Sequence, residues 1–220
     1  MNFVFVHSPF VGKSTWVGVA AALEDRFDTV VVDLHRPGVV VSNAGHAAEI
    51  GAHLGSDSVV VVHSGAGPLI PAAVAVAAPA AVLFVDAALP FSQTRAGVYP
   101  PGLMERLLTL SVGETLARWD RWFPPDALEE LLTDPEVRHR FVAELPSLPV
   151  SYMTESLTAA GQWEGLPCGF LQLSAAYRDE LALAEQRRWV VATCDGDHLW
   201  PLTRPTEVAR ELESIAAELV

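Results

Sequence analysis

One stretch of the chain combines the residue types and spacing for nucleophilic chemistry. Val59-Val-Val-Val-His-Ser-Gly-Ala-Gly67 runs an apolar, β-branched block straight into a serine followed by small residues. A strand that ends in a serine and turns at once into a helix forces that serine outward at the strand's C-terminal end, the setting of the nucleophile elbow G-x-S-x-G. The residues after it must be small because strand and helix nearly touch there, and Ala66 and Gly67 meet that need. Val62 stands where the motif has its first glycine, a departure that can crowd or re-aim the turn. As chemistry, Ser64 would be a nucleophile if a base took its proton. As architecture alone, it would cap the helix that follows.

A second stretch, His7-Ser-Pro-Phe-Val-Gly-Lys-Ser-Thr15, also joins an apolar run to a helical pattern. Gly12, Lys13 and Ser14 match the end of the phosphate-binding loop G-x-x-x-x-G-K-[ST], and Val-Val-Val-Asp33 imitates the acidic strand that accompanies such loops. His7 replaces the first glycine, and Pro9 removes one of the N–H groups that such a loop turns onto phosphate oxygens. The plain alternative is a strand-to-helix connection with an exposed lysine.

These motifs need elements to hold them. Apolar blocks predict strands over 3–7, 29–34, 58–63, 80–85, 168–173 and 189–193, each continuous rather than alternating. Continuous blocks suit a parallel sheet covered on both faces. Helical spacing predicts helices over 16–25, 43–54, 69–78, 177–188 and 206–219, the last with Thr206 as N-cap and Glu207 in its first turn. Strand and helix alternate, which predicts an α/β fold with a mostly parallel six-stranded sheet flanked by helices. Between them the texture changes. Short helical patterns over 105–110, 112–123, 126–133 and 136–145 are separated by Pro124, Pro125, Pro135, Pro146 and Pro149. The expected organisation is a core in two parts, residues 1–91 and 166–220, with a helical cap over 92–165 inserted after the fourth strand.

Composition narrows the partners. Lys and Arg number 14 against 27 Asp and Glu, a formal net charge of −13, and no basic patch is visible. Nucleic acid and anionic membrane are therefore not expected partners. Residues 58–85 carry no Asp, Glu, Lys or Arg, but Pro68, Pro71 and Pro79 punctuate the run, so it predicts strand, helix and strand rather than a membrane span. Two cysteines, Cys168 and Cys194, make neither a disulfide framework nor a metal site, and no signal peptide is visible. A cytoplasmic setting, no cofactor and no metal are expected. The oligomeric state is left open.

Gly196-Asp-His-Leu-Trp-Pro-Leu-Thr-Arg-Pro205 follows the last predicted strand and precedes the last helix. With the Ser64 elbow and the order of elements, it makes the chain resemble the α/β-hydrolase superfamily, whose members place a catalytic histidine in such a loop, often as G-x-H. The His7 loop also looks like the superfamily's "H-G" oxyanion loop. The resemblance covers most of the chain apart from the insertion. It lacks the usual leading β-hairpin, the first strand here resembling the superfamily's third.

The resemblance implies a nucleophile, Ser64, and a base, His198. His63 adjoins Ser64, but its side chain leaves the strand on the other side. His7 better suits the oxyanion loop, and His35, His46, His53 and His139 sit in no motif. The acid's usual place follows the fifth strand, where the sequence reads Leu173-Ser-Ala-Ala-Tyr177, with Tyr177 near the expected position and Asp179 and Glu180 slightly later, inside the predicted helix. The superfamily's second position, the end of the strand after the elbow, holds Asp86. A lone carboxylate ending an apolar strand is costly unless paired, which favours Asp86 over Asp179. Asp195 and Asp197 flank His198 but are poorly placed for its far nitrogen. The Gly65 N–H is the natural first oxyanion donor. Pro9 has no N–H, so Phe10 must supply the second. His7, His63, Phe91, Trp119, Trp122 and Phe123 are candidate substrate contacts, although packing between cap and core would use the same aromatics. The implied function is a serine hydrolase cleaving an ester, thioester or amide of a small apolar molecule. The alternatives are a non-hydrolytic lyase, cyclase or ligand binder on the same fold and, behind it, a nucleotide binder using Lys13.

Overall fold

The computed structural model describes residues 1–90, 101–124, 126–157 and 161–220. Strands β1 (Asn2–Val6), β2 (Asp28–Val32), β3 (Ser58–His63), β4 (Ala81–Val85), β5 (Cys168–Gln172) and β6 (Val190–Thr193) form one sheet in the order β2-β1-β3-β4-β5-β6. Each neighbouring pair is parallel, so the sheet is parallel throughout where the sequence predicted mostly parallel.

Alternation along the strands builds two cores. Val4, Val6, Val60, Val62, Val82, Phe84 and Phe170 face one side, against Ala47 and Ile50 of α2 (Asn43–Gly51), Ile70 and Ala73 of α3 (Ile70–Val74) and Ala184 of α8 (Arg178–Gln186). Phe3, Phe5, Val59, Val61, Leu83, Val85 and Leu171 face the other, against Trp16, Val19 and Leu23 of α1 (Ser14–Leu23) and Val208, Leu212 and Ile215 of α10 (Pro205–Leu219). Burial on both faces is why the strands read as unbroken apolar blocks. The last helix starts one residue earlier than its expected cap: Arg204 precedes it, Pro205 opens it and Thr206 lies inside. Proline is favoured at that first position because its missing N–H would be unpaired anyway.

Between β4 and β5 lie α4 (Pro101–Leu110), α5 (Ala127–Leu131), α6 (Pro135–Ala143) and α7 (Ser151–Thr154), with 3-10 turns at Trp119–Arg121 and Gly161–Gly165. The helix expected over 112–123 does not form. Gly113 has φ +61° and Thr115 bridges both Val112 and Pro149, so most of that stretch is irregular before the turn at Trp119. Trp119, Trp122, Phe141, Tyr152, Met153 and Trp163 of this segment join the core on the α2, α3 and α8 side. A short α9 (Trp200–Thr203) precedes α10. Among the described residues no helix is long and apolar enough to cross a membrane.

The lysine motif is built into this frame. Pro9 occupies the second place of a turn closed by the Val11 N–H donating to Ser8 O at 3.1 Å, where its fixed φ is favourable. Lys13 Nζ pairs with Asp33 at 3.0 Å, and the Ser14 N–H at the start of α1 donates to Glu144 Oε2 at 2.9 Å. A Cβ on Gly12 would lie 2.3 Å from Glu144 Oε2, so the glycine makes room for that carboxylate. The lysine and the helix start that a phosphate would use are thus engaged by the protein's own acids.

Candidate active site

The elbow forms despite Val62. Val62 is a fully buried core residue paired in register with Val6 and Phe84, and the turn begins beyond it. Ser64 has φ +56°, the left-handed region that L residues adopt only under local constraint. Two approaches hold it there. The Ala88 N–H donates to Ser64 O at 3.1 Å, and a Cβ on Gly67 would lie 2.0 Å from Ala88 O. The requirement for a small residue at 67 comes from this contact with the chain that leaves β4.

That same departure from β4 carries Asp86, whose φ is +39° and whose side chain is fully buried. Its carboxylate accepts hydrogen bonds from the Leu173 N–H at 2.7 Å, the Ser174 N–H at 3.1 Å and the Ser174 hydroxyl at 2.6 Å. His198 Nδ1 lies 3.1 Å from Asp86 Oδ2. Burial opposes ionisation of Asp86, but the His198 hydrogen bond and charge, the Ser174 hydroxyl and the Leu173 N–H outweigh it and hold the carboxyl below its ordinary range. Nδ1 is then the donor, and Nε2 of His198 is left as the acceptor. Asp179, the alternative acid, is exposed on the first turn of α8, and the Asp197 side chain caps Leu199 N–H at 2.8 Å.

His63 supports His198 from below. Its Nε2–H donates to the His198 carbonyl at 3.0 Å, and the two rings stack with centroids 4.4 Å apart. Burial, then the neighbouring His198, pushes the His63 imidazole well below its usual range, so it stays neutral. His7 is likewise buried. Its Nδ1–H donates to Ser8 O at 2.8 Å and its Nε2 accepts the Leu34 N–H at 3.1 Å. Neither histidine is among the residues lining the cavity; the hydrogen bonds of each go to loop backbone. Phe91 lies outside the described residues.

The cavity holds about 380 Å³ and is mostly apolar. Ser64, Gly65, Phe10 and His198 reach it from the core, and Trp119, Trp122 and Phe123 wall it from the segment between β4 and β5. These core groups stand on loops at the C-terminal ends of their strands, where parallel α/β sheets place ligands. The Phe10 ring lies against Gly65, where a Cβ would come within 3.0 Å of it, and the Phe10 N–H donates to Ser8 Oγ at 3.4 Å. Arg106 and Glu180 are the two charged groups of the lining, and Tyr177 lines it too; Arg106 carries no sequence signal, whereas Tyr177 and Glu180 stand near the expected acid position. Arg106 also donates to the Trp122 carbonyl. Among the described residues the Ser64 hydroxyl pairs with Tyr177 Oη, at 3.3 Å, rather than with His198. No group of three or more His, Cys, Asp or Glu among the described residues is arranged to hold a metal ion.

A family model described as the alpha/beta hydrolase family matches residues 3–211. No curated protein matches the sequence. Among solved structures, a variant of tomato methylketone synthase I complexed with β-ketoheptanoate superposes with a TM-score of 0.78 at 16% identity, covering 100% of this chain and 98% of that one. An extracellular alpha/beta-hydrolase from a Paenibacillus species, described as homologous in structure and function to tobacco salicylic acid binding protein 2, gives 0.76 at 16% identity, with 98% of each chain covered. Polyneuridine aldehyde esterase gives 0.76 at 15% identity, again with 98% of each chain covered.

Proposed function

The chain belongs to the alpha/beta hydrolase family, and from that premise we propose that it is a serine hydrolase acting on an ester, thioester or amide of a small, largely apolar molecule. One observation carries the reading. A strained serine and a histidine whose Nδ1 is held by a buried carboxylate open into one apolar cavity. Ser64 Oγ attacks the carbonyl carbon while its proton passes to His198 Nε2, and Asp86 stabilises the imidazolium. The Gly65 N–H is assigned to the oxyanion, with the Phe10 N–H as second donor on exchanging its long contact to Ser8 Oγ for the oxyanion. Collapse breaks the bond to the leaving group, which takes the His198 proton. Water, deprotonated by His198, then adds to the acyl-enzyme and releases the acid. The cavity walls at Trp119, Trp122 and Phe123 favour an apolar or aromatic acyl or leaving group. The two cysteines are free, which suits the reducing, cytoplasmic setting included in this proposal.

A fluorophosphonate probe read by intact mass and peptide mapping tests the assignment. A single adduct on Ser64 is expected, lost in Ser64→Ala and in His198→Ala. No adduct on folded protein would overturn the hydrolase reading. A second, non-hydrolytic use of the cavity is favoured by the Ser64–Tyr177 pairing and by the methylketone synthase among the similar folds. It predicts ligand turnover or binding in a protein that the probe leaves unlabelled.

A further inference from the structure

Ser64 has a polar neighbour that a serine, histidine and carboxylate do not require. The Tyr177 phenol oxygen lies 3.3 Å from Ser64 Oγ, and its ring stacks on His198 with centroids 5.2 Å apart and planes 10° apart. Tyr177 ends the loop that starts at Leu173, and that loop's N–H groups and Ser174 hydroxyl hold the Asp86 carboxylate. One loop therefore fixes the acid and presents a phenol to the nucleophile. Burial pushes the Tyr177 hydroxyl above the usual phenol range; the hydrogen bond with Ser64 opposes this, and the Asp86 and Glu180 charges add smaller upward contributions. Either oxygen can donate in the resting pair, but the phenol stays protonated at neutral pH, so once Ser64 has given up its proton Tyr177 is the donor.

What a donor at Oγ does depends on the step. In acylation Oγ gives its proton to His198 and an electron pair to the carbonyl carbon. Electron density leaves Oγ, and a hydrogen bond aimed at it opposes the step. In deacylation a water loses a proton to His198 and adds to the carbonyl carbon. The tetrahedral intermediate then expels Oγ. The electron pair of the breaking C–Oγ bond returns to Oγ, and His198 returns the proton. Negative charge builds on Oγ in that step, and the same hydrogen bond helps. The geometry points to Tyr177 as a further catalytic residue, which donates a hydrogen bond to Ser64 Oγ as that oxygen leaves the acyl-enzyme. Tyr177 keeps its own proton throughout. A hydrogen bond to developing charge is worth roughly 10- to 100-fold in that step.

This inference rests on Ser64 being the nucleophile, and its test separates the two. Tyr177→Phe keeps the ring and its stacking on His198 and removes only the hydroxyl. Wild type and variant are mixed with 4-nitrophenyl acetate and butyrate. Nitrophenol release is followed by stopped flow, quenched samples by intact mass, and fluorophosphonate labelling in parallel. The variant is expected to label at least as fast as wild type and to release a burst of nitrophenol. It should then accumulate an acyl adduct on Ser64 and turn over roughly 10- to 100-fold more slowly. Equal turnover without an accumulating adduct, with both proteins labelled, overturns the Tyr177 role and leaves Ser64 standing. Labelling and turnover slowed in equal proportion also overturn it, because a merely structural role slows both. So does a labelled wild type that releases no nitrophenol. If neither protein is labelled, the Ser64 reading falls and takes this inference with it.

Discussion

Asp86 keeps a buried charge on four hydrogen bonds, from the Leu173 N–H, the Ser174 N–H, the Ser174 hydroxyl and His198 Nδ1. Asp86→Asn puts an amide among donors and no longer fixes the histidine tautomer. Hydrolysis of a 4-nitrophenyl ester should fall by about four orders of magnitude in kcat/KM, while the fold survives by circular dichroism. Ser174→Ala removes one donor and should cost far less, about tenfold. Asp86 was legible in the sequence because an acid that ends an apolar strand must find a partner. Its main-chain partners were not, since N–H groups leave no signature in residue types. In the sequence Tyr177 stands where an acid is expected. The use of its hydroxyl depends on a contact with Ser64 across 113 positions, which no local pattern announces. Adjacency in sequence does not decide what His63 and His7 face. Strand alternation sends the first behind the sheet's edge of chemistry, and main-chain hydrogen bonding consumes the second.

At the scale of elements, two glutamates of the segment between β4 and β5 fasten it to the core. Glu144 accepts the N–H of Ser14 at the start of α1. Glu155 accepts the N–H groups of Asn43 and Ala44 at the start of α2, at 2.8 and 3.1 Å. A carboxylate at a helix start meets unpaired donors and the positive end of the helix dipole. Glu144→Ala is expected to destabilise the protein by about 1 kcal/mol in urea unfolding. Gly12→Ala displaces the same side chain, so the double variant should be little worse than either single one. Independent, additive losses would show that the two positions do not share this contact. The sheet and most helices were legible because their apolar periods are long. The stretch 112–123 was misread because its helical spacing ignores Gly113, whose positive φ breaks the run. The lysine motif was legible as a motif, but its purpose was not, because the carboxylate that fills it comes from a distant part of the chain.

For the whole molecule, buried histidines set the acid limit of stability. The rings of His7 and His35 lie 5.3 Å apart, and those of His35 and His46 lie 5.5 Å apart. Burial, then mutual repulsion, lowers His7 to about 3 and His46 to about 4. Burial by itself lowers His35, against the pull of Asp33 and hydrogen bonds to the Val11 and Pro9 backbone, while Asp33 also opposes the shift of His7 and Glu49 that of His46. The unfolded chain therefore binds more protons than the folded one once pH falls below about 6.5. Stability is fully present above that pH and drains away as pH falls toward the folded values. At pH 5 His7 and His46 should each cost on the order of 2 kcal/mol, a drop in Tm of roughly 10 °C from pH 7. A Tm flat to pH 5 by calorimetry would contradict the neutral cluster. A division of labour also runs through the fold. The proposed bond-breaking groups ride on the ends of core strands, while Leu103, Arg106, Trp119, Trp122, Phe123 and Leu131 furnish the opposite wall from a single stretch of chain. A gene can therefore drift in diet without losing its appetite. Libraries confined to codons 103–131 should yield variants with altered substrate range at undiminished probe reactivity, the kind of modularity that both natural divergence and laboratory selection exploit.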